Sequence, residues 1–164
     1  MNRGSSKVAD GAASSKEFAV GGASDAGQAI NIKTPIAGSR RRVLVIDDEA
    51  ILCRTFLRLL RRKYEVEAVM CPEYALKLLQ TREFDVVVCD VNMPGMTGLE
   101  LRDKAVELRP ELLEKFLFCS GGGLSQAANR RLARERVLYK PFNREELFTL
   151  VEQLTKRASF GEAR

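Results

Sequence analysis

Five short apolar runs, each followed by a segment of helical periodicity, constrain the fold of this chain more than any other feature. Residues 43–46 and 86–89 are continuous runs rich in β-branched side chains, as in parallel strands covered on both faces. Weaker strand patterns occupy 64–70, 115–119 and 137–139. Because crossovers between parallel strands are right-handed, this order predicts an α/β fold, a doubly wound five-stranded parallel sheet with helices on both faces.

The segments between the predicted strands carry helix signals. Residues 51–60 place apolar side chains on one face and arginines on the other. Thr97 and Glu100 have the spacing of a capping box, and Asn143 is a candidate N-cap for the last helix. The segment after Leu124 has a thin apolar face, so its helix is the weakest of the predicted set.

The N-terminal part of the chain differs in composition from the rest. The first 42 residues contain 6 Gly, 8 Ala and 6 Ser, which bury too little apolar surface to offset chain entropy. We therefore predict a disordered tail over 1–41. The tail holds most of the formal net charge of +5, but a solvated linker explains its arginines better than a nucleic-acid partner does.

The chain has no histidine, which excludes Ser-His-Asp and Cys-His catalysis and any metal site that uses histidine. A histidine phosphodonor would have to belong to another molecule. The four cysteines form no C-x-x-C pair, which is typical of buried thiols in a reducing compartment. There is no signal peptide pattern and no bilayer-length apolar run, so we expect a cytoplasmic protein without a membrane partner.

Polar side chains follow four of the predicted strands. Asp47 and Asp48 follow the first strand, Asp90 the third, Ser120 the fourth and Lys140 the fifth. Ligand sites of open parallel sheets lie at the carboxyl ends of the strands, where these groups should converge. Clustered carboxylates repel one another unless a cation neutralises them, and hard oxygen donors suit Mg²⁺. The lysine and the hydroxyl would then bind phosphoryl oxygens.

Four motifs stand at these strand ends: Val-Leu-Val-Ile-Asp-Asp-Glu at 43–49, Cys-Asp-Val-Asn-Met-Pro-Gly-Met-Thr-Gly at 89–98, Phe-Cys-Ser-Gly at 118–121 and Lys-Pro-Phe at 140–142. Together they resemble the response-regulator receiver domain of bacterial two-component signalling. The resemblance implies the flavodoxin-like (βα)5 receiver fold. It places the domain at 42–157, followed by a short C-terminal tail over 158–164.

The resemblance also implies the role of each site residue. Asp90 would be the phosphoacceptor, assisted by Lys140 and by the switch hydroxyl of Ser120. The Lys140–Pro141 peptide bond is expected to be cis. The proposed Mg²⁺ ligands are three carboxylates and one backbone carbonyl, those of Asp47, Asp48, Asp90 and Asn92 respectively.

The chain departs from the family pattern at its fifth strand. Val137 stands where the family usually has an aromatic side chain. Tyr139 lies two residues further on, and strand alternation places it on the same face as Val137. Tyr139 is therefore either a substitute switch residue or a half-buried strand residue.

The resemblance implies a phosphoacceptor response regulator in a two-component phosphorelay, a signalling domain and not an enzyme. It would take its phosphoryl group from a histidine kinase or a histidine phosphotransfer protein. It would signal to an unknown downstream protein or pass the phosphoryl group on. Too few residues follow 154 for an output module, so we expect a stand-alone receiver, with a piece of a hybrid kinase as the alternative.

Two other classes of function remain open at this stage. One is an Mg²⁺-dependent phosphatase with an aspartyl-phosphate intermediate. Such enzymes typically carry a D-x-D pattern on the first strand, whereas Asp47 and Asp48 are adjacent here. The other is an unphosphorylated scaffold or nucleic-acid-binding module that uses the basic tail, for which salt-sensitive DNA affinity would be the sign.

Overall fold

A parallel sheet forms the centre of the structure, a computed structural model that describes residues 40–161, with side chains described over 40–156. Its spatial order is β2-β1-β3-β4-β5, with every neighbouring pair parallel. The predicted five-stranded fold is confirmed. The strands are β1 (Arg42–Ile46), β2 (Glu65–Val69), β3 (Val86–Asp90), β4 (Phe116–Ser120) and β5 (Val137–Tyr139).

Helices follow each strand in turn. Within 40–161 none of them has the length and apolar character needed to cross a membrane. A 3₁₀ helix, Pro110–Lys115, also precedes β4. The α-helices are α1 (Ala50–Leu60), α2 (Pro72–Thr81), α3 (Gly98–Leu108), α4 (Gln126–Leu132) and α5 (Arg144–Gly161).

The chain ends differ in how far the structure reaches them. A disordered tail is predicted over 1–41, and residues 1–39 of it lie outside the described residues. Residues 162–164 also lie outside them. At the other end, α5 continues to Gly161, so residues 158–161 extend the last helix. No proline or glycine interrupts the sequence between Arg144 and Phe160, which permits this extension.

Side chains of the sheet alternate between two hydrophobic cores. Leu44, Ile46 and Phe118 pack into the core on the face covered by α2 and α3. Val45 and Leu117 pack into the core on the face covered by α1 and α5. Because both faces of the sheet are covered, β1 and β3 need apolar residues at nearly every position.

The capping box predicted before α3 and the N-cap predicted at Asn143 are both present, and Asn143 also forms a capping box. Before α3, the Glu100 amide donates to Thr97 Oγ1 at 3.3 Å and the Thr97 amide donates to the Glu100 carboxylate at 2.9 Å. Before α5, the Glu146 amide donates to Asn143 Oδ1 at 2.8 Å, and the Asn143 amide donates back to the Glu146 carboxylate at 3.2 Å. These caps fix where the loops after β3 and β5 end.

The helix after β4 is the shortest, as its thin apolar face predicts. It has seven residues, and Leu132 is its buried side chain. Ser125 caps it by accepting a hydrogen bond from the Ala128 amide at 3.2 Å. With so little apolar area buried, α4 is held to the sheet more weakly than the other helices.

Candidate functional site

Three side chains from three strand ends meet at the carboxyl edge of the sheet. Lys140 Nζ donates to Asp47 Oδ2 at 3.0 Å and to Asp90 Oδ1 at 2.5 Å. The two aspartates are nearly inaccessible, with 1% and 6% of their surface exposed. They stand at the adjacent strands β1 and β3, where the strand order reverses. The structure thus brings together three of the residues predicted from the strand ends.

Backbone amides hold the second oxygen of each buried aspartate. The Glu49 amide donates to Asp47 Oδ1 at 2.9 Å, and the Asn92 amide donates to Asp90 Oδ2 at 2.6 Å. In both cases the donor lies two residues after the aspartate, the local turn that Asp side chains favour. Both carboxylates are therefore fixed in orientation by a backbone donor on one oxygen and Lys140 on the other.

Burial and charge pairing act on this site in opposite directions. Burial raises the pKa of Asp47, although the Glu49 amide and Lys140 oppose that effect. Burial alone would lower the pKa of Lys140, but its hydrogen bonds to Asp90 and Asp47 outweigh it and raise that pKa. Lys140 therefore stays charged. One ammonium pairs with the two carboxylates of Asp47 and Asp90, so negative charge exceeds positive charge in this cluster.

The predicted metal ligands are only partly assembled. Asp48 is exposed to solvent, unlike its neighbour Asp47. Within the part of the chain that the structure describes, no three acidic or thiol side chains are close enough together to bind a metal ion. The donor set nevertheless fits Mg²⁺, because its donors are hard oxygens and its net charge is negative. The Lys140 ammonium provides the cationic charge between Asp47 and Asp90 in this state.

Ser120 joins the site through the loop that follows β4. Its side chain is buried, and the Gly122 amide donates to Ser120 Oγ at 3.4 Å. The Asn92 side-chain amide donates to the Gly122 carbonyl at 3.3 Å, which links this loop to the one after β3. Gly122 and Gly123 have φ of 92° and 71°, values that other residues rarely adopt. The loop geometry therefore depends on glycine.

The fifth strand places its two candidate residues differently. Val137 packs against the core on the α2 and α3 face. Tyr139 pairs with Ser120 across the sheet, but its side chain is 65% exposed. Tyr139 is therefore not a half-buried strand residue, and its role as a switch stays a prediction. The Lys140–Pro141 peptide bond is cis, as the resemblance implies.

Gly98 supports the site in a way that the sequence analysis did not assign. A Cβ at this position would lie 2.2 Å from the Asp90 carbonyl oxygen and 3.0 Å from Cys89 Sγ. The first turn of α3 therefore packs directly on the backbone that carries Asp90. The available signal was a glycine directly after a capping threonine, where helix propensity disfavours glycine.

Comparisons with known proteins agree with the fold described above. The sequence model of the response regulator receiver domain family matches residues 43–152. The transcriptional regulatory protein CutR of Streptomyces coelicolor is 32% identical over 119 residues, which cover 72% of this chain and 55% of that protein. The sensor kinase CckA of Brucella abortus is 32% identical over 129 residues, 76% of this chain and 13% of that protein. The chain spans about half the length of CutR and less of CckA.

Solved structures show the same fold. A response regulator receiver protein from Sinorhizobium medicae is 28% identical, with a TM-score of 0.62, and the match covers 73% of this chain and 97% of that one. A CheY-like receiver domain from Methanospirillum hungatei has a TM-score of 0.68 at 24% identity, covering 75% of this chain and 99% of that one. The match to nearly the whole of both chains supports a complete fold within the described residues.

Proposed function

Because the chain belongs to the response-regulator receiver family, we propose that it accepts a phosphoryl group on Asp90 and signals through protein contacts or onward phosphotransfer. The donor is a phosphohistidine of a histidine kinase or a histidine phosphotransfer protein, since this chain has no histidine. One observation carries the proposal. The buried Asp90 carboxylate is held by Lys140 on one oxygen and by the Asn92 amide on the other.

The transfer step needs little from the protein beyond orientation and charge. An Asp90 oxygen attacks phosphorus, a P–O bond forms, and the P–N bond of the phosphohistidine breaks with its electron pair left on the imidazole nitrogen. Lys140 exchanges its hydrogen bond to Asp90 for one to a phosphoryl oxygen. Asp47, at 3.0 Å from the ammonium, keeps Lys140 in position during this exchange.

Mg²⁺ is the cofactor that this donor set suits. The carboxylates of Asp47, Asp48 and Asp90 and the backbone carbonyl of Asn92 would hold it. When bound, Mg²⁺ neutralises negative charge on the phosphoryl oxygens. The Asp48 side chain is exposed to solvent and would have to turn toward the buried pair when the metal binds.

Ser120 reports the presence of the phosphoryl group. Its hydroxyl donates to a phosphoryl oxygen, a contact that only the phosphorylated form offers. In the present state its Oγ accepts a long hydrogen bond from the Gly122 amide, so little is lost when the hydroxyl turns. The glycine loop and the weakly held α4 then shift, which changes the surface offered to an unknown downstream protein.

The chain acts as a signalling domain and not as an enzyme, and we place it in the cytoplasm with protein partners. A titration of intact protein with acetyl phosphate and Mg²⁺ tests the site. We expect one phosphoryl group on the wild type and none on Asp90→Asn. Asp103→Asn, a surface aspartate on α3, is the matched control and should be labelled like the wild type. Labelling that persists in Asp90→Asn contradicts the assignment.

A further inference from the structure

The groove between α1 and α5 is lined by positive charge without any acidic residue. It has a volume of about 340 Å³. Arg58, Arg61 and Arg62 line it from the end of α1 and the turn after it, and Arg144 lines it from the start of α5, with Leu59 between them. These five residues define what we call the α1–α5 groove.

The four arginines of the α1–α5 groove have no carboxylate partner among residues 40–156, unlike seven other arginines of the described chain. The α3–α4 groove shows the contrast. It is also lined by arginines, but Glu135 lies among them and pairs with Arg102 at 3.0 Å. Other arginines that pair with carboxylates are Arg41, Arg42, Arg82, Arg109, Arg131 and Arg136.

The spacing of these arginines concentrates like charges. Arg58 lies in the last turn of α1, and Arg61 and Arg62 follow in the turn after it, three and four residues further on, so their like charges repel one another. The Arg40 side chain donates to the Arg61 carbonyl at 3.3 Å, which places a further positive charge near the groove. The negative end of the α1 dipole favours cations here but supplies no counter-ion. An anionic ligand would provide the missing charge.

We infer that the α1–α5 groove binds a compact ligand with two or more adjacent phosphates, the class of inorganic polyphosphate and nucleoside di- and triphosphates. Guanidinium groups bind phosphate oxygens in pairs, which suits a site built from arginine and without lysine. Four guanidinium groups line this groove, whose volume is typical of small-molecule sites. A ligand with several phosphates offers more oxygens to four guanidinium groups than a single phosphate does. The inference does not depend on Asp90 phosphorylation.

Calorimetric titration of the full chain with tripolyphosphate, without Mg²⁺ and at low salt, tests the inference. We expect one saturable site that weakens as salt increases. Arg58→Gln/Arg62→Gln should bind at least about tenfold more weakly, since two charge-assisted contacts are lost. Arg134→Gln, which removes an exposed arginine of the α3–α4 groove, should leave the affinity unchanged. Orthophosphate should bind more weakly than tripolyphosphate.

Three further arms complete the experiment. Tripolyphosphate should raise the melting temperature of the wild type but not of Arg58→Gln/Arg62→Gln, whose melting temperature without ligand should equal or exceed that of the wild type. ATP in place of tripolyphosphate distinguishes a nucleotide from a polyphosphate, and saturable binding of either supports the class. Absence of saturable binding, an equal loss in Arg134→Gln, or tighter binding of single-stranded DNA or polyglutamate overturns it. Asp90 labelling of the same variants separates this failure from failure of the proposed function.

Discussion

At the scale of single residues, the site depends on how one ammonium is shared between two buried carboxylates. Lys140 is the charge partner of both Asp47 and Asp90, and each of these has only one further donor, a backbone amide. Two buried negative charges therefore compete for one positive charge. Burial makes the ionisation of Asp47 costly in the folded chain and raises its pKa, although the Glu49 amide and Lys140 oppose that effect.

We predict that Asp47→Asn is more stable than the wild type at pH 7 without Mg²⁺. A carboxyl whose pKa is raised on folding contributes stability below its unfolded pKa and loses it as the pH rises through the folded pKa. The advantage of the uncharged variant should therefore shrink as the pH falls toward 3.8, the ordinary value for Asp. Urea unfolding at several pH values measures it, and a gap that widens in acid would contradict the assignment.

Thiol reactivity gives a second prediction at this scale. Burial raises the pKa of Cys53 to about 11 and raises those of Cys89 and Cys119 further above their usual value, whereas Cys71 is only half-buried. Ellman's reagent at pH 8 should therefore modify one of the four thiols in the native protein. Cys71→Ser should abolish this reaction. Fast modification of a second thiol in that variant would show that a core thiol is accessible.

At the scale of elements, the start of α3 and the loop after β4 both approach the end of β3, which carries Asp90. Gly98 lets α3 lie against the Asp90 backbone, and its amide donates to the Val91 carbonyl at 3.0 Å. The loop after β4 touches the other side of the site through Asn92 and Gly122. One element is closely packed and the other has open space around it, so the same substitution should act differently in each.

Gly98→Ala should cost about 1–3 kcal/mol of stability, because its Cβ would overlap the Asp90 carbonyl oxygen and force the helix or the strand to move. It should also slow labelling of Asp90. Gly121→Ala is the matched control, since the nearest atom to its Cβ is Lys140 Cδ at 3.9 Å. Chemical unfolding and acetyl phosphate labelling measure both effects. Equal stability of the two variants would contradict the packing argument.

The proposed phosphorylation of Asp90 would be transmitted by movement of whole elements near β4 and β5. Tyr139 is exposed, and Val137 is partly buried and not aromatic, so we predict that the loop at 120–123 and α4 carry the change. Beryllofluoride titration followed by amide NMR should give shifts over 120–135 that persist in Tyr139→Ala and shrink in Ser120→Ala. Loss of these shifts in Tyr139→Ala would identify the tyrosine as the switch.

The secondary-structure elements also show how much of the fold and of the site could be predicted from the sequence. Continuous β-branched runs were sufficient to predict β1 and β3, and topology then placed Asp47, Asp90 and Lys140 together. Side-chain direction was not predictable in the same way, because adjacent residues after a strand point to different environments. Asp48 is exposed beside the buried Asp47. Tyr139 is exposed although strand alternation places it on the same face as the partly buried Val137. The 3₁₀ helix at Pro110–Lys115 has no periodic signature and was not predicted.

At the scale of the whole molecule, the described residues bury two complete cores, one on each face of the sheet. The start of β1 is held by the segment before β3. The Arg42 amide and the Arg41 side chain donate to the Asp85 carboxylate at 2.7 Å and 2.8 Å respectively. Both contacts lie C-terminal to residue 39. The stability of the domain should therefore come from residues 40 onward.

A protein that begins at Arg40 should keep the melting temperature and the labelling rate of the full chain. Residues within 40–156 form both described cores and the contacts among Asp47, Asp90 and Lys140. Differential scanning calorimetry and acetyl phosphate labelling test this. A drop of several degrees or a slower rate would show that the removed residues support the domain.

The ammonium shared by Asp47 and Asp90 also has a consequence for synthesis of the chain on the ribosome. The two aspartates emerge early, but their common charge partner is made 93 residues after the first and 50 after the second. Until the last strand docks, the acidic edge has no lysine to hold it. A chain that ends before Lys140 therefore lacks the ammonium that holds both carboxylates, and the acceptor site that we propose is complete only after β5 has been made.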